Sequence, residues 1–104
     1  MSKKIIQFST TQCTRCQVIK SKLEKELKDS PIEYEYISLA NPTKVVTREN
    51  VQLYWEEVYE NFKKYSEKYQ TRLFTGLPSF LIIDNDVATP VLTEQVFNFI
   101  NQNK

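Results

Sequence analysis

The two cysteines of this chain stand between a stretch that predicts a strand and a stretch that predicts a helix. Cys13 and Cys16 enclose Thr14 and Arg15, follow the mostly apolar run 5–8, and precede a segment with apolar residues at helical spacing. This placement puts both thiols in the first turn of a helix, where exposed backbone N–H groups and the helix dipole favour a thiolate. A pair so spaced can close a small disulfide ring. The pattern therefore predicts thiol–disulfide exchange as one chemistry open to this chain.

Length and composition favour one soluble domain. The chain has 104 residues, of which 40% are hydrophobic and 26% are charged. That is enough for one hydrophobic core and too little for two, so we expect a single domain over residues 1–104. The formal net charge of +1 gives no electrostatic reason to expect nucleic acid or an anionic membrane as a partner.

The apolar pattern predicts no targeting or membrane segment. The basic residues near the N-terminus are followed by an apolar stretch that Gln7 interrupts, which is too short for a secretory signal. No run approaches the roughly 18 apolar residues that span a bilayer. We therefore expect a cytoplasmic protein that does not bind membranes. In that reducing compartment, a close cysteine pair is more often catalytic or metal-binding than structural.

The chain contains no histidine. This excludes a cysteine nucleophile activated by histidine, a histidine acid–base pair and a metal site with histidine ligands. Two thiolates supply only half of a tetrahedral zinc site, so one chain cannot complete such a site, whereas two chains together offer four cysteine ligands. Exchange chemistry, a metal site shared by two chains and a pair of unreactive thiols remain as alternatives.

Hydrophobic periodicity predicts a strand, a helix and a second strand at the start of the chain. Residues 3–8 are mostly apolar, which is typical of a central strand. Residues 14–28 predict a helix, and residues 32–39 alternate in the manner of a strand with one exposed face. The buried face of this helix is predicted to contain Cys16, Ile19, Leu23 and Leu27.

The middle of the chain predicts a long amphipathic helix over residues 51–70. Before it, Pro42 suits the first turn of a further helix, with Asn41 as its cap. Several aromatic rings recur along the long helix at steps of three and four, which indicates a core-facing stripe, while any ring left outside it could contact a protein partner. The predicted stripe consists of Val51, Trp55, Val58, Phe62, Tyr65 and Tyr69.

The last part of the chain predicts a hairpin followed by a helix. Residues 79–83 form a short apolar run, and residues 87–92 follow it after a turn sequence, which is typical of an antiparallel partner. Pro90 predicts that this partner lies at an edge of the sheet. Proline has no backbone N–H, so it does not suit a central strand that is hydrogen-bonded on both sides. Residues 93–101 predict a final helix, with Thr93 as its cap.

The predicted order, β-α-β-α-β-β-α, resembles the thioredoxin-like fold in its short glutaredoxin form, an α/β fold with a four-stranded mixed sheet flanked by helices. Two segments carry the resemblance: the cysteine pair at 13–16 and the turn and strand start Gly-Leu-Pro-Ser-Phe at 76–80, which continues a turn predicted over 75–78. In that family a cis proline packs beside the cysteines, and the backbone before it pairs with a bound peptide or with glutathione. The resemblance implies these roles for Leu77 and Pro78, although the local sequence also fits an ordinary trans turn.

Three departures from the family pattern concern the substrate and the electron donor. The dipeptide Thr14-Arg15 is neither the Gly-Pro of typical thioredoxins nor the Pro-Tyr of typical glutaredoxins. Gln7 stands where thioredoxins bury an acid. The Gly-Gly turn that precedes the last helix of glutaredoxins is absent, because Gly76 is the only glycine, although Thr93 and the start of that helix could still receive a carboxylate.

The resemblance implies a thiol–disulfide oxidoreductase that reduces protein or glutathione mixed disulfides. Cys13 would be the nucleophile and Cys16 the resolving thiol, while Arg15 would stabilise a thiolate or meet an acidic partner, or simply be solvated. We expect a monomer without a bound cofactor, and a reductase or glutathione as electron donor. The alternatives are a homodimer that holds zinc or an iron–sulfur cluster through two cysteine pairs, and a redox-inactive adaptor of the same fold.

Overall fold

Four strands form one mixed sheet in the computed structural model, which describes residues 3–10, 12–41, 43, 45–73 and 76–103. The strands stand in the order β2-β1-β3-β4. β1 pairs with β2 in parallel, and the other two pairings are antiparallel. This arrangement confirms the predicted α/β class and the predicted element order. The strands are β1 (Lys3–Ser9), β2 (Glu33–Ser38), β3 (Ser79–Asp84) and β4 (Val87–Val91).

Three helices cover the two faces of the sheet. They are α1 (Thr14–Glu26), α2 (Val51–Lys68) and α3 (Thr93–Gln102). On one face, Ile5 of β1 packs with Leu23 of α1 and Val96 of α3. On the other face, residues of β1 pack with α2. Because both faces of β1 are covered, its side chains from residue 5 onward are buried, as the apolar run predicted.

The β3–β4 hairpin closes through two residues with positive φ. Asn85 and Asp86 have φ values of 55° and 65°, the left-handed conformation that both central residues of a type I′ turn require. Asn and Asp tolerate this conformation better than other residues that carry a side chain. β4 pairs only with β3 and contains Pro90, which confirms the predicted edge strand.

The buried stripe of α2 differs from the prediction at the start of the helix. Trp55 is 41% exposed and Val51 is 38% exposed, whereas Tyr54 is only 3% exposed. The sheet covers the side of α2 centred on Tyr54, Val58 and Phe62, and Trp55 lies about 100° round the helix from Tyr54. Val51 is the first residue of the helix. The predicted stripe was therefore wrong at its N-terminal end, where Tyr54 and not Trp55 is buried, while Val58 and Phe62 are buried as predicted.

The segment between β2 and α2 also differs from the prediction. The side-chain oxygen of Asn41 accepts the N–H and the hydroxyl of Thr43 at 3.0 and 2.8 Å, but no described residue between Asn41 and α2 is helical, so this contact closes a local turn and does not cap a helix. Such a bond to the residue two positions on is a local alternative to a helix start. Pro42, Thr11 and Thr75 lie outside the described residues. Of the residues described between β2 and α2, none is helical.

No helix in the described part of the chain is both long enough and apolar enough to cross a lipid bilayer.

Candidate functional site

Cys13 caps the first helix with its sulfur. The backbone of Cys13 is extended, and its Sγ accepts the backbone N–H of Cys16 at 3.1 Å. The carbonyl of Thr10, just after β1, accepts the N–H of Cys13 at 3.2 Å and fixes the turn that leads into the helix. The sulfur therefore stands where a Ser or Asp oxygen usually caps a helix. A thiolate at this position accepts backbone N–H groups and lies at the positive end of the helix dipole.

The two cysteines form a disulfide and differ in exposure. Their Cα atoms are 5.2 Å apart. Cys16 is 0% exposed, whereas Cys13 is only partly buried. A molecule approaching from outside therefore reaches Cys13 and not Cys16. The structure shows the oxidised form of the pair, with the exposed sulfur bonded to the buried one.

Gln7 is a fully buried polar residue that ties β1 to the first turn of α1. Its Nε2 donates to the carbonyl of Cys16 at 3.0 Å and to Oγ of Ser9 at 2.9 Å, and its Oε1 accepts the hydroxyl of Tyr34. The network fixes the orientation of the amide, because the Cys16 carbonyl can only accept a hydrogen bond. Sequence analysis identified Gln7 only as the absence of an acid. The sequence did contain an indication of this role, because Gln7 is a polar residue within an otherwise apolar run that predicts a buried strand.

Tyr34 of β2 supplies the outer end of this network. Burial raises the pKa of its hydroxyl well above the ordinary value of 10.0, and the negative charge of Glu24 adds to the shift. The phenol is therefore neutral across the physiological range and acts as a constant donor to Gln7. Sequence analysis assigned Tyr34 to a strand face and missed its contact with Gln7, because that contact depends on how β1 and β2 lie side by side.

Tyr36, two residues further along β2, makes a parallel contact with α1. Its hydroxyl accepts Nε2 of Gln17 at 2.9 Å, and the ammonium group of Lys20 lies 5.2 Å from the centre of its ring. Lys20 also forms an ion pair with Glu24 at 3.0 Å. These contacts hold the outer side of α1 on β2 without touching either cysteine.

A groove of about 420 Å³ brings together the four residues predicted to bind substrate. Arg15, Leu77, Pro78 and Thr93 all line it, and the Leu77–Pro78 peptide bond is cis, as the resemblance implied. Arg15 stands between the two cysteines in the chain and so connects the groove to the cysteine pair, although neither cysteine itself lines the groove. The complete lining also includes Gly76, Val91, Leu92 and Glu94, of which sequence analysis selected none as a binding residue.

The start of α3 differs from the prediction. Thr93 does not cap the helix but is its first residue, and the cap position is held by Leu92. Leu92 has no polar side-chain group, so the side chain of Gln95 turns back and accepts the Leu92 N–H at 2.7 Å. Glu94 lies in the first turn, where the helix dipole stabilises its negative charge. Thr93 consequently reaches the groove as part of the helix and not as its cap.

The groove carries one charge of each sign and an apolar floor. Arg15 and Glu94 both line it, and within the described part of the chain neither takes part in an ion pair. Leu77, Pro78 and Val91 supply the apolar surface between them. Groups that are unpaired in this way are free to contact a bound molecule.

Metal ligands are sparse around the cysteines. Over the described residues, no group of three or more Cys, His, Asp or Glu side chains lies close enough together to hold a metal ion.

Comparisons with known proteins show the fold. No protein-family model and no curated sequence matches the chain. The structure is similar to a thioredoxin from Fasciola hepatica, with a TM-score of 0.60 and 15% identity over 99% of this chain and 82% of that one. It is similar to thioredoxin f2 from Chlamydomonas reinhardtii, with a TM-score of 0.55 and 15% identity over 99% and 80% of the two chains. It also resembles an exposed lipoprotein thioredoxin from Streptococcus pneumoniae, with a TM-score of 0.51 and 14% identity over 97% and 84%.

The chain therefore has a thioredoxin-like fold with a dithiol site at Cys13 and Cys16. This combination of fold and cysteine pair supports a thiol–disulfide oxidoreductase in general.

Proposed function

We propose that this protein is a dithiol–disulfide oxidoreductase that reduces disulfides in other proteins. The observation that carries the proposal is the pairing of a partly exposed, helix-capping Cys13 with a buried Cys16, next to Arg15, which lines an open groove. An exposed sulfur can attack a partner, and a buried sulfur bonded to it can complete the exchange. As part of the proposal, the enzyme works as a cytoplasmic monomer without a bound cofactor.

The proposed reaction has two steps. The Cys13 thiolate attacks one sulfur of the substrate disulfide, so that a mixed disulfide forms and the first substrate thiol departs after taking up a proton. Cys16 then loses its proton and attacks Sγ of Cys13, which forms the bond seen in the structure and releases the second substrate thiol. Two electrons pass to the substrate, and an external dithiol or two glutathione molecules return them. The short distance between the cysteines gives the second step its high effective concentration.

The groove favours an extended peptide over glutathione as substrate. Leu77, Pro78 and Val91 offer apolar surface for side chains next to a substrate disulfide. Glu94 stands at the start of α3, where its negative charge opposes a second carboxylate. Arg15 remains available to an acidic group on the partner. We therefore propose protein disulfides as the main substrates, with Arg15, Leu77, Pro78 and Thr93 in contact with the bound peptide.

The test compares two substrates and three donors. Reduction of insulin and of a glutathionylated peptide is measured for the wild type, Cys13→Ser and Cys16→Ser, with dithiothreitol, thioredoxin reductase and NADPH, or glutathione and its reductase. We expect wild type to reduce insulin, Cys13→Ser to be inactive, and Cys16→Ser to accumulate a mixed disulfide visible by mass spectrometry. If the wild type is inert with every donor, the proposed oxidoreductase activity is wrong. If the wild type reduces only the glutathionylated peptide, the proposal that protein disulfides are the main substrates is wrong.

A further inference from the structure

We propose that Gln7 and Tyr34 are positioning residues for Cys16, and that they form an uncharged support with no proton acceptor for the resolving thiol. The proposal rests on the proposed function, since it concerns the second step of the exchange. Gln7 lies on β1, nine residues before Cys16, and Tyr34 lies on β2, well beyond α1 in the sequence. Their contacts link both strands to the first turn of α1.

The positioning role follows from the direction of the hydrogen bonds. The Tyr34 hydroxyl donates to Oε1 of Gln7, and Nε2 of Gln7 donates to the carbonyl of Cys16 at 3.0 Å. A bond accepted at the amide oxygen strengthens the amide N–H as a donor. The chain of bonds therefore fixes the backbone of the buried cysteine against the sheet. Cys13 makes no hydrogen bond to Gln7 or Tyr34, because its hydrogen bonds are to Thr10 and to the N–H groups of Cys16 and Gln17.

The absence of an internal proton acceptor follows from the same contacts. Both N–H groups of Gln7 are used, on Cys16 and Ser9, and an amide oxygen is not a base at neutral pH. Among the described residues, the buried polar side chains are those of Gln7, Ser9, Thr10 and Ser79, and none is a carboxylate.

The ionisable groups that interact with Tyr34 in this support lie on β2 and α1. They are Tyr36 on β2 and Glu24 on α1, and the ammonium group of Lys20 lies over the Tyr36 ring. Tyr34 stays neutral and donates a hydrogen bond to Gln7. Lys20 and Glu24 pair with each other. The proton that Cys16 loses must therefore leave through solvent or with the departing substrate thiol.

The experiment separates the two steps with Ellman's reagent, an aromatic disulfide that releases one coloured thiolate per exchange. In the Cys16→Ser background, release reports attack by Cys13 alone. With both cysteines present, the second, first-order release reports attack by Cys16 on the mixed disulfide, and the proton of Cys16 goes to solvent because the coloured leaving group stays ionised. The reagent needs no protein substrate and no donor. A failure of the insulin assay therefore leaves this measurement intact.

Tyr34→Phe removes one hydroxyl and keeps the ring. We expect it to slow the second release about fivefold, the effect of one lost hydrogen bond, and to leave attack by Cys13 within about twofold. Tyr36→Phe is the matched control, since it removes the neighbouring hydroxyl on the same strand, which bonds to Gln17 instead. It should change neither step. Equal slowing of both steps by Tyr34→Phe, or no slowing of the second, overturns the positioning role.

Gln7→Glu places an ionisable group of nearly the same shape beneath Cys16. In wild type, the rate of the second release should rise about tenfold per pH unit below the pKa of the Cys16 thiol, because only the thiolate attacks. In the variant, the rate should rise less steeply with pH and show an additional ionisation, because the new carboxylate accepts the proton of the Cys16 thiol. A wild-type profile that already shows a second ionisation, or that rises by clearly less than tenfold per pH unit, overturns the claim that wild type lacks an internal acceptor. Circular dichroism and thermal unfolding confirm that each variant is folded, and Tyr34→Phe alone decides the positioning role where Gln7→Glu does not fold.

Discussion

The sulfur of Cys13 accepts the backbone N–H of Cys16 at 3.1 Å, so the group that attacks the substrate in the proposed reaction is also the cap of α1. Chemistry and helix stability are thus joined in one atom. A change at Cys13 has consequences for the fold as well as for the activity.

Replacement of Cys13 should therefore show a capping effect in the reduced protein. We expect Cys13→Ala to lower the free energy of unfolding by about 1 kcal/mol relative to Cys13→Ser, because serine can still accept the N–H bond and alanine cannot. Urea unfolding of both variants under reducing conditions measures the difference. Equal stability of the two variants would show that the sulfur does not act as a cap.

The same position at the helix start should make Cys13 reactive. In the Cys16→Ser variant, we expect iodoacetamide to alkylate Cys13 near neutral pH faster than it alkylates free glutathione, because the helix start stabilises the thiolate. The rate is followed by mass spectrometry. An alkylation rate no higher than that of glutathione would favour the redox-inactive adaptor.

Tyr34 gives the fold a specific sensitivity to alkaline pH. Its pKa is raised in the folded protein, chiefly by burial, so folding favours the neutral phenol. The stability that this provides is fully present below the unfolded pKa of about 10 and is lost as the pH rises toward the higher folded pKa. We expect the difference in unfolding free energy between wild type and Tyr34→Phe to be constant up to about pH 10 and to fall above it. Denaturant unfolding across this range measures it, and a difference that stays flat or grows would contradict the assignment.

Leu92 should contribute to substrate binding more than to stability. It lines the groove and is 59% exposed, so Leu92→Ala, which leaves the cap position of α3 without a polar side chain as before, should raise the KM for insulin about three- to tenfold while stability changes by no more than about 0.5 kcal/mol. Leu53→Ala is the matched control, because Leu53 is 61% exposed on α2 and does not line the groove. Equal effects of the two variants on KM would place the peptide elsewhere.

Much of the fold could be predicted because its signals are local. The apolar run in β1, the spacing of Ile19 and Leu23 in α1 and the turn residues at Asn85 each depend on a few neighbouring residues. The predictions were wrong where a local pattern fitted two placements. At Trp55, the helical period allowed a buried position that the sheet does not cover. At the start of α3, Leu92 and not Thr93 holds the cap position, and its N–H bonds to the side chain of Gln95.

The candidate site was predictable in part for the same reason. The cysteine pair is a local motif, and Leu77 and Pro78 followed from a resemblance. The support beneath Cys16 could not be predicted, because the contact between Gln7 and Tyr34 depends on the lateral pairing of two strands. Glu94 and Leu92 reach the groove because the segment that joins β4 to α3 lies beside Leu77 and Pro78, which are distant in the sequence.

The walls of the groove come from distant parts of the chain, whereas the cap at Cys13 is built within a few residues. In the proposed enzyme, the reactivity of the Cys13 sulfur is therefore a local property, whereas the second step, which uses Gln7 and Tyr34, and the choice of substrate both depend on the whole fold. A molecule that keeps only the first turn of α1 would form mixed disulfides at Cys13, but it would resolve them more slowly and without discrimination among its partners.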